Sequence, residues 1–436
     1  MRRHPIGNGI CAPRIPRELA ALIAALQLKG ATTEGLLELQ EHEWESLLKF
    51  CDPAHLTLPL AQVAVSGFPL WVGERLKKNL ADNAARFSRV ETTYREVAAA
   101  LDQAGVEYVV LKGFTQAPDY VSDVRLRMQS DLDLYCRKEM IVRARDALMN
   151  IGYQSEQTID YSRSDHLPTM IRKGDWQWGG NAFDPEMPLS VELHFCLWNE
   201  TVSKFPVPET DRFWERRIRR SLVGLSFPDL HPIDHLGFMA LHILRGLLAG
   251  DWIIHHVHEM ATFLHRHAKE DAFWRHWKEA HNDSFRALQA IAFFLARCWF
   301  CCDIHSDVQS QIEALPPVQT EWLERFAGSA LENMFRKNKD SAWLHASLIK
   351  APHKKVAAIW QAIMPLQVRG IPTIDNPAVR TKNRQYNDLR ISNKYIRYVL
   401  YISDRTIDHL RPIPALVMHG LLLWLSSRQP RKQFHQ

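Results

Sequence analysis

The chain has 436 residues, 46% of them apolar, with fourteen Trp and nineteen Phe among them. That much apolar mass supplies more than one core and argues against disorder over most of the length. The net charge of +5 is small for this size, so it demands no nucleic-acid partner, although local basic patches leave one open.

The seven cysteines are scattered and form no disulfide framework, so a reducing, cytoplasmic compartment is expected. The basic N-terminus leads into a short apolar segment interrupted by Glu18, read as an amphipathic helix rather than a signal peptide. No run reaches the ~18 apolar residues that span a bilayer.

In chain order, residues 17–101 carry helical spacing. "RELAALIAALQL" and "TTEGLLELQEHEWESLLKFC" repeat apolar residues at i, i+3 and i+4, with Thr33 as an N-cap. "PLWVGERLKKNLADNAARFSRVETTYREVAAALDQAG" reads as one long helix, opened by Pro69 and closed by Gly105. The pattern then changes. "VEYVVL" (106–111), "DLDLYC" (131–136), "HLPTMIRK" and "LSVELHFCL" read as strands, with "KEMIVRARDALMNIGY" a helix ended by Gly152. From Thr210 onward helical signals return, and a Pro- and Asn-rich connector follows at 371–388. These shifts divide the chain into an N-terminal helical region (1–104), an α+β core (105–205), a helical domain (206–370) and a C-terminal mixed segment (371–436). The fold class is α+β, a small mixed sheet flanked by helical regions.

Asp131 and Asp133 are the chemical signal. Residues i and i+2 of a strand share a face, so the two carboxylates lie side by side while Leu132 and Leu134 enter the core. Adjacent carboxylates repel and resist desolvation, and a cation is their natural compensation. Hard oxygen ligands suit Mg²⁺ or Mn²⁺ alongside substrate phosphates, and a third carboxylate usually completes such a site. Glu192 is the candidate, on one face of "SVELHF" together with His194, with Leu193 facing the core.

The assembly "LDQAGVEYVVLKG", Tyr120, Arg127, "DLDLY" and "VELHF" resembles the bacterial family of uncharacterised nucleotidyltransferases. The resemblance spans most of 35–300, and its specific part is 105–196. It implies the nucleotidyltransferase fold, a catalytic and metal-binding role for Asp131, Asp133 and Glu192, and a nucleoside triphosphate substrate, taken as ATP. Lys112, Gly113 and Arg127 are then expected at the phosphates, Lys112 and Arg127 by charge and Gly113 by backbone approach. Arg127 has a structural alternative, pairing with Asp131. The acceptor is a hydroxyl-bearing small molecule, protein or RNA. The competing reading is a non-catalytic adaptor that keeps this fold and binds a partner through its helical flanks.

Other features have plainer readings. His255, His256, His258 and Glu259 lie on one helical segment without the H-E-x-x-H spacing, and read first as polar residues on a helix face and second, by the resemblance, as lining the site. Cys298 and Cys301 read as packing residues. Arg212, Arg216 and Arg219 are expected on one helix face, and 380–398 adds basic residues among tyrosines. Both are read first as solvated and second as an RNA-binding surface. The apolar "ALVMHGLLLWL" reads as a packing helix rather than a membrane-surface one.

Overall fold

The computed structural model describes residues 13–63, 67–154, 164–172, 174–363, 406–407 and 409–426. The connector at 371–388 and the basic stretch at 380–398 lie outside these residues. The chain forms two compact units. The first comprises Ile15–Leu247 and Trp252–Leu315, and the second includes Leu248–Asp251 and the chain from Pro316.

In the first unit, four helices precede the long one: α1 (Arg17–Ala25), α2 (Glu34–Leu37), α3 (Glu41–Cys51) and α4 (Thr57–Gln62). The apolar spacing at 32–51 is divided between α2 and α3. Gln40 and Glu43 form a capping box at the break, in which the Gln40 amide donates to Glu43 at 2.8 Å. Thr33 occupies the N-cap of α2, but its side chain makes no cap hydrogen bond. Helix α5 (Leu70–Gln103) starts after Pro69 as expected, and the chain leaves it through Gly105 at φ +63°.

A five-stranded mixed sheet follows. Its strands are β1 (Val109–Val110), β2 (Asp131–Tyr135), β5 (Ser190–His194), β6 (Ile218–Leu222) and β7 (Leu225–Asp229), in the order β5-β2-β1-β7-β6. Helix α6 (Ile141–Asn150) and the small pair β3 (Tyr153–Gln154) and β4 (Ile171–Arg172) lie between β2 and β5 in sequence. Strand β1 runs antiparallel to β2 and parallel to β7, and β2 runs parallel to β5. One face of the sheet is apolar. Leu132, Leu134, Val191 and Leu193 are fully buried and share a core with Tyr94, Val97 and Leu101 of α5 and Ile141 and Leu148 of α6. Each such side chain contributes about 1.5–3 kcal/mol by leaving water. The opposite face is thereby left to Asp131, Asp133, Glu192 and His194.

The segment 212–222 is not the helix that its arginine spacing suggested. Residues 218–222 form strand β6, which turns back on β7 through Val223 and Gly224, at φ +45° and +78°. Two consecutive left-handed residues make the tight hairpin turn that suits the strands' twist. Arg216, in the turn before this strand, forms a bidentate pair with the buried Asp234, at 2.8 and 2.6 Å, and Arg220 pairs with Asp229 at 2.6 Å. The sheet therefore extends to residue 229.

Helices α7 (Glu200–Ser203), α8 (Pro232–Ala249), α9 (Ile254–Arg266), α10 (Asp271–Ala280), α11 (Asp283–Phe300) and α12 (Ser306–Glu313) complete this part of the chain. The second unit holds α13 (Pro317–Phe326), α14 (Ser329–Glu332), α15 (Ser341–Leu348), α16 (Pro352–Ile363) and α17 (Ile413–Ser426). Helix α17 packs there as expected, with the Trp343 indole donating to the Leu416 carbonyl at 2.8 Å and His419 meeting Asp340 at 2.6 Å. Its outer face leaves Val417, Met418, Leu421 and Leu425 exposed. Among the described residues no helix is long and apolar enough to cross a membrane.

Candidate functional site

Helix α5 places the strand that carries the aspartates. Its Asn83 donates to the carbonyls of Arg125 and Arg127, at 2.6 and 3.2 Å. One turn on, the buried Arg86 donates to the carbonyl of Gln129 at 2.9 Å. The same guanidinium donates to the carbonyls of Asp184 and Met187, which ties down the loop at 174–188. Spending two buried polar residues on backbone carbonyls fixes the entry into β2 before any side chain of the site is considered.

Strand register then builds the site. Asp133 pairs with Glu192, and Asp131 with Ser190, across the parallel strands β2 and β5. Asp133, Glu192 and His194 each present a ligand atom within 4.8 Å of the others. His194 Nε2 lies 2.9 Å from Asp133 Oδ1 and 3.9 Å from Glu192 Oε2. Thr169 donates its hydroxyl to Glu192 Oε1 at 2.8 Å. Thr169 is there because the chain at 164–172 runs along the outer edge of β5, with His166 bridging His194 and Met170 bridging Val191.

Lys112 closes the site from the end of β1, with Nζ 3.0 Å from Asp133 Oδ1. Burial alone would raise the Asp133 carboxyl, but the Lys112 ammonium and the His194 ring override it and hold Asp133 far below the ordinary range. Asp131 moves the other way, pushed up by burial and by the charge of Asp133. This divergence is what two neighbouring carboxylates with too little positive charge between them show. Two carboxylate oxygens and one imidazole nitrogen, with a neighbouring carboxylate left short of countercharge, could hold a divalent cation; the carboxylates are donors of the Mg²⁺ or Mn²⁺ type, and the imidazole is the softer ligand.

Gly113 follows Lys112 at φ +74°, and a Cβ there would stand 2.3 Å from the Gln129 side chain. Gln129 uses that space to donate to the Asp131 carbonyl at 2.8 Å. Arg127 does not pair with Asp131. Its Nε donates to Glu259 Oε1 of α9 at 2.7 Å. Burial would raise Glu259, and Arg127 with Gln116 holds it below its usual value. Glu259 also meets His256 at 3.3 Å, so these two polar residues of α9 lie beside Arg127.

The structure thus brings Asp133, Glu192 and Lys112 together, keeps Asp131 on the same strand face, and places Arg127 and Gly113 in the flanking segments. Sequence reading gave no role to His194 or Thr169. For His194 the signal was present, since it shares the face of Glu192. Thr169 lies in "HLPTMIRK", read as a strand, with nothing local to mark it as a partner of Glu192. Cys298 and Cys301 are free thiols at the end of α11.

The model of the family described as uncharacterised nucleotidyltransferase matches residues 40–301, more than half of the chain. No curated protein and no solved structure matches. The matched residues contain α5, the whole sheet, the carboxylates and the helix that bears Glu259, and the chain belongs to this family of uncharacterised nucleotidyltransferases.

Proposed function

We propose that the chain transfers a nucleoside monophosphate from a nucleoside triphosphate, ATP in the first instance, to a hydroxyl-bearing acceptor, with Mg²⁺ or Mn²⁺ required. The observation that carries this reading is the pairing of Asp133 with Glu192 across β2 and β5, with His194 within the same 4.8 Å group.

Asp133, Glu192 and His194 would hold the cation, with Asp131 as the further carboxylate on that face. When bound, the cation supplies charge neutralisation at the triphosphate and polarisation at the α-phosphorus. Lys112, already against Asp133, is assigned to a phosphate oxygen, as is Arg127. Gly113 is assigned to backbone approach at the phosphates. Glu192 is the carboxylate assigned to receive the proton of the acceptor hydroxyl. That oxygen attacks the α-phosphorus in line, the bond to the β-phosphate oxygen breaks, and pyrophosphate leaves with the electron pair.

The test uses the full chain with Mg²⁺ or Mn²⁺, α-labelled nucleoside triphosphates, and fractions of small molecules, protein and RNA as acceptors. Label transferred by the wild type and lost in Asp133→Ala supports the reading. A folded protein that binds no nucleotide and labels none of the fractions refutes it and leaves the adaptor reading. The fraction that takes the label names the acceptor class.

A further inference from the structure

Beyond the three ligand residues, a buried polar chain runs away from the site. His194 has its two ring nitrogens in different surroundings. Nε2 faces Asp133 and Glu192, while Nδ1 is buried without a hydrogen-bond partner. The carboxylate facing Nδ1 is that of Asp165, with Oδ2 at 3.8 Å. A neutral imidazole that coordinates through Nε2 carries its proton on Nδ1, and that N–H needs an acceptor to fix the ring.

Asp165 is held on both its backbone and its side chain. Its carbonyl accepts from the Phe195 amide at 2.9 Å, just beyond the end of β5. Its Oδ2 accepts from Arg245 Nη1 of α8. Arg245 is held in turn, because its Nη2 meets His242 Nδ1 at 3.0 Å. A guanidinium only donates, so His242 Nδ1 accepts and its proton sits on Nε2. That proton points to His256 Nε2 at 3.0 Å, which leaves the His256 Nδ1–H to face Glu259 Oε2 at 3.3 Å. This placement of protons satisfies each contact from Asp165 to Glu259, and it sets the Arg245 fork between Asp165 and His242.

We propose that Asp165, clamped by Arg245, is the positioning residue that turns His194 Nε2 toward the cation site between Asp133 and Glu192. The proposal rests on the metal-dependent reading above and adds to it a carboxylate–histidine pair that sequence proximity does not reveal. The bland alternative is an Arg245–Asp165 ion pair that only fastens α8 to the edge of the sheet.

The experiment measures Mn²⁺ binding to the full chain by calorimetry, and the nitrogen couplings of bound Mn²⁺ by electron spin-echo spectroscopy. The wild type binds Mn²⁺ with an imidazole nitrogen signature. Asp165→Ala, with its circular dichroism unchanged, is expected to bind about 10–100-fold more weakly and to lose much of that signature. Asp165→Asn keeps an acceptor without the charge and falls between the two, and it carries the test alone if the alanine variant fails to fold. Wild-type affinity and nitrogen signature in both variants, while Asp133→Asn no longer binds, overturn the role of Asp165 and leave the metal reading standing. A wild type that binds no Mn²⁺, with or without nucleotide, overturns both.

Discussion

Asp133 and Glu192 sit opposite each other in adjacent parallel strands, one residue pair in the register that β2 and β5 share from Asp131 to His194. A slip of one residue would send either carboxylate into the core with Leu134 or Leu193. The site is therefore a consequence of strand register, and the apolar side chains that fix the register are as necessary to it as the carboxylates.

Lys112 is a counter-ion of the buried Asp133, with Nζ 3.0 Å from Oδ1. Lys112→Met leaves a buried carboxylate short of its partner and should cost about 3–5 kcal/mol in urea denaturation. Adding Asp133→Asn in the same chain should recover part of that loss. Saturating Mn²⁺ should stabilise Lys112→Met more than it stabilises the wild type, because the cation takes over the neutralisation. Equal stabilisation of the two would show that the cation binds elsewhere.

Gly113 is fixed by conformation and by space together. Gly113→Ala forces a side chain to φ +74° and against Gln129, so a loss of about 1–3 kcal/mol is expected. Gln129→Ala in that background should relieve the contact and leave the backbone strain. Full recovery in the double variant would mean that the backbone position imposes no cost.

Asp234 of α8 anchors the turn before the β6–β7 hairpin through Arg216 and meets His281 of the α10–α11 junction at 3.2 Å. Burial would raise its carboxyl, but the hydrogen bonds from His281 and Arg216 hold it below the ordinary value of 3.8. A depressed carboxyl stabilises the fold in full above its unfolded value and loses that contribution as pH falls through the folded one. Asp234→Asn should thus be less stable than wild type by about 3 kcal/mol at pH 7. The gap should hold down to about pH 4 and narrow below it, as urea titrations at pH 7, 5 and 3 will read. A gap that widens on acidification would reverse the assigned sign.

Much of the site was legible because strands alternate. "DLDLY" and "VELHF" each put carboxylate and leucine on opposite faces, and burial of Leu132, Leu134 and Leu193 bears this out. Pro69 and Gly105 marked the ends of α5 for reasons local to the backbone. The β6–β7 hairpin was hidden by its arginines. Arg212, Arg216 and Arg219 fall at helical spacing, while in β6 it is Arg220 that turns inward, with its guanidinium 5.7 Å from the Phe227 ring centroid and paired to Asp229. A long side chain that buries its stem looks polar in a pattern and behaves as half apolar in a sheet. The partners of Asp165 and Arg127 were hidden by distance. Asp165 meets Arg245 across eighty positions, and Arg127 meets Glu259 across 132.

Nucleotidyl transfer, as proposed, requires a cation held between β2 and β5. Its most direct measurement is transfer of label from an α-labelled nucleoside triphosphate by wild type and by Asp133→Asn, with Mg²⁺ or Mn²⁺ present and then chelated. Transfer by the wild type should stop on chelation, and folded Asp133→Asn should transfer none. Transfer that survives chelation, or equal transfer by the variant, would contradict this requirement.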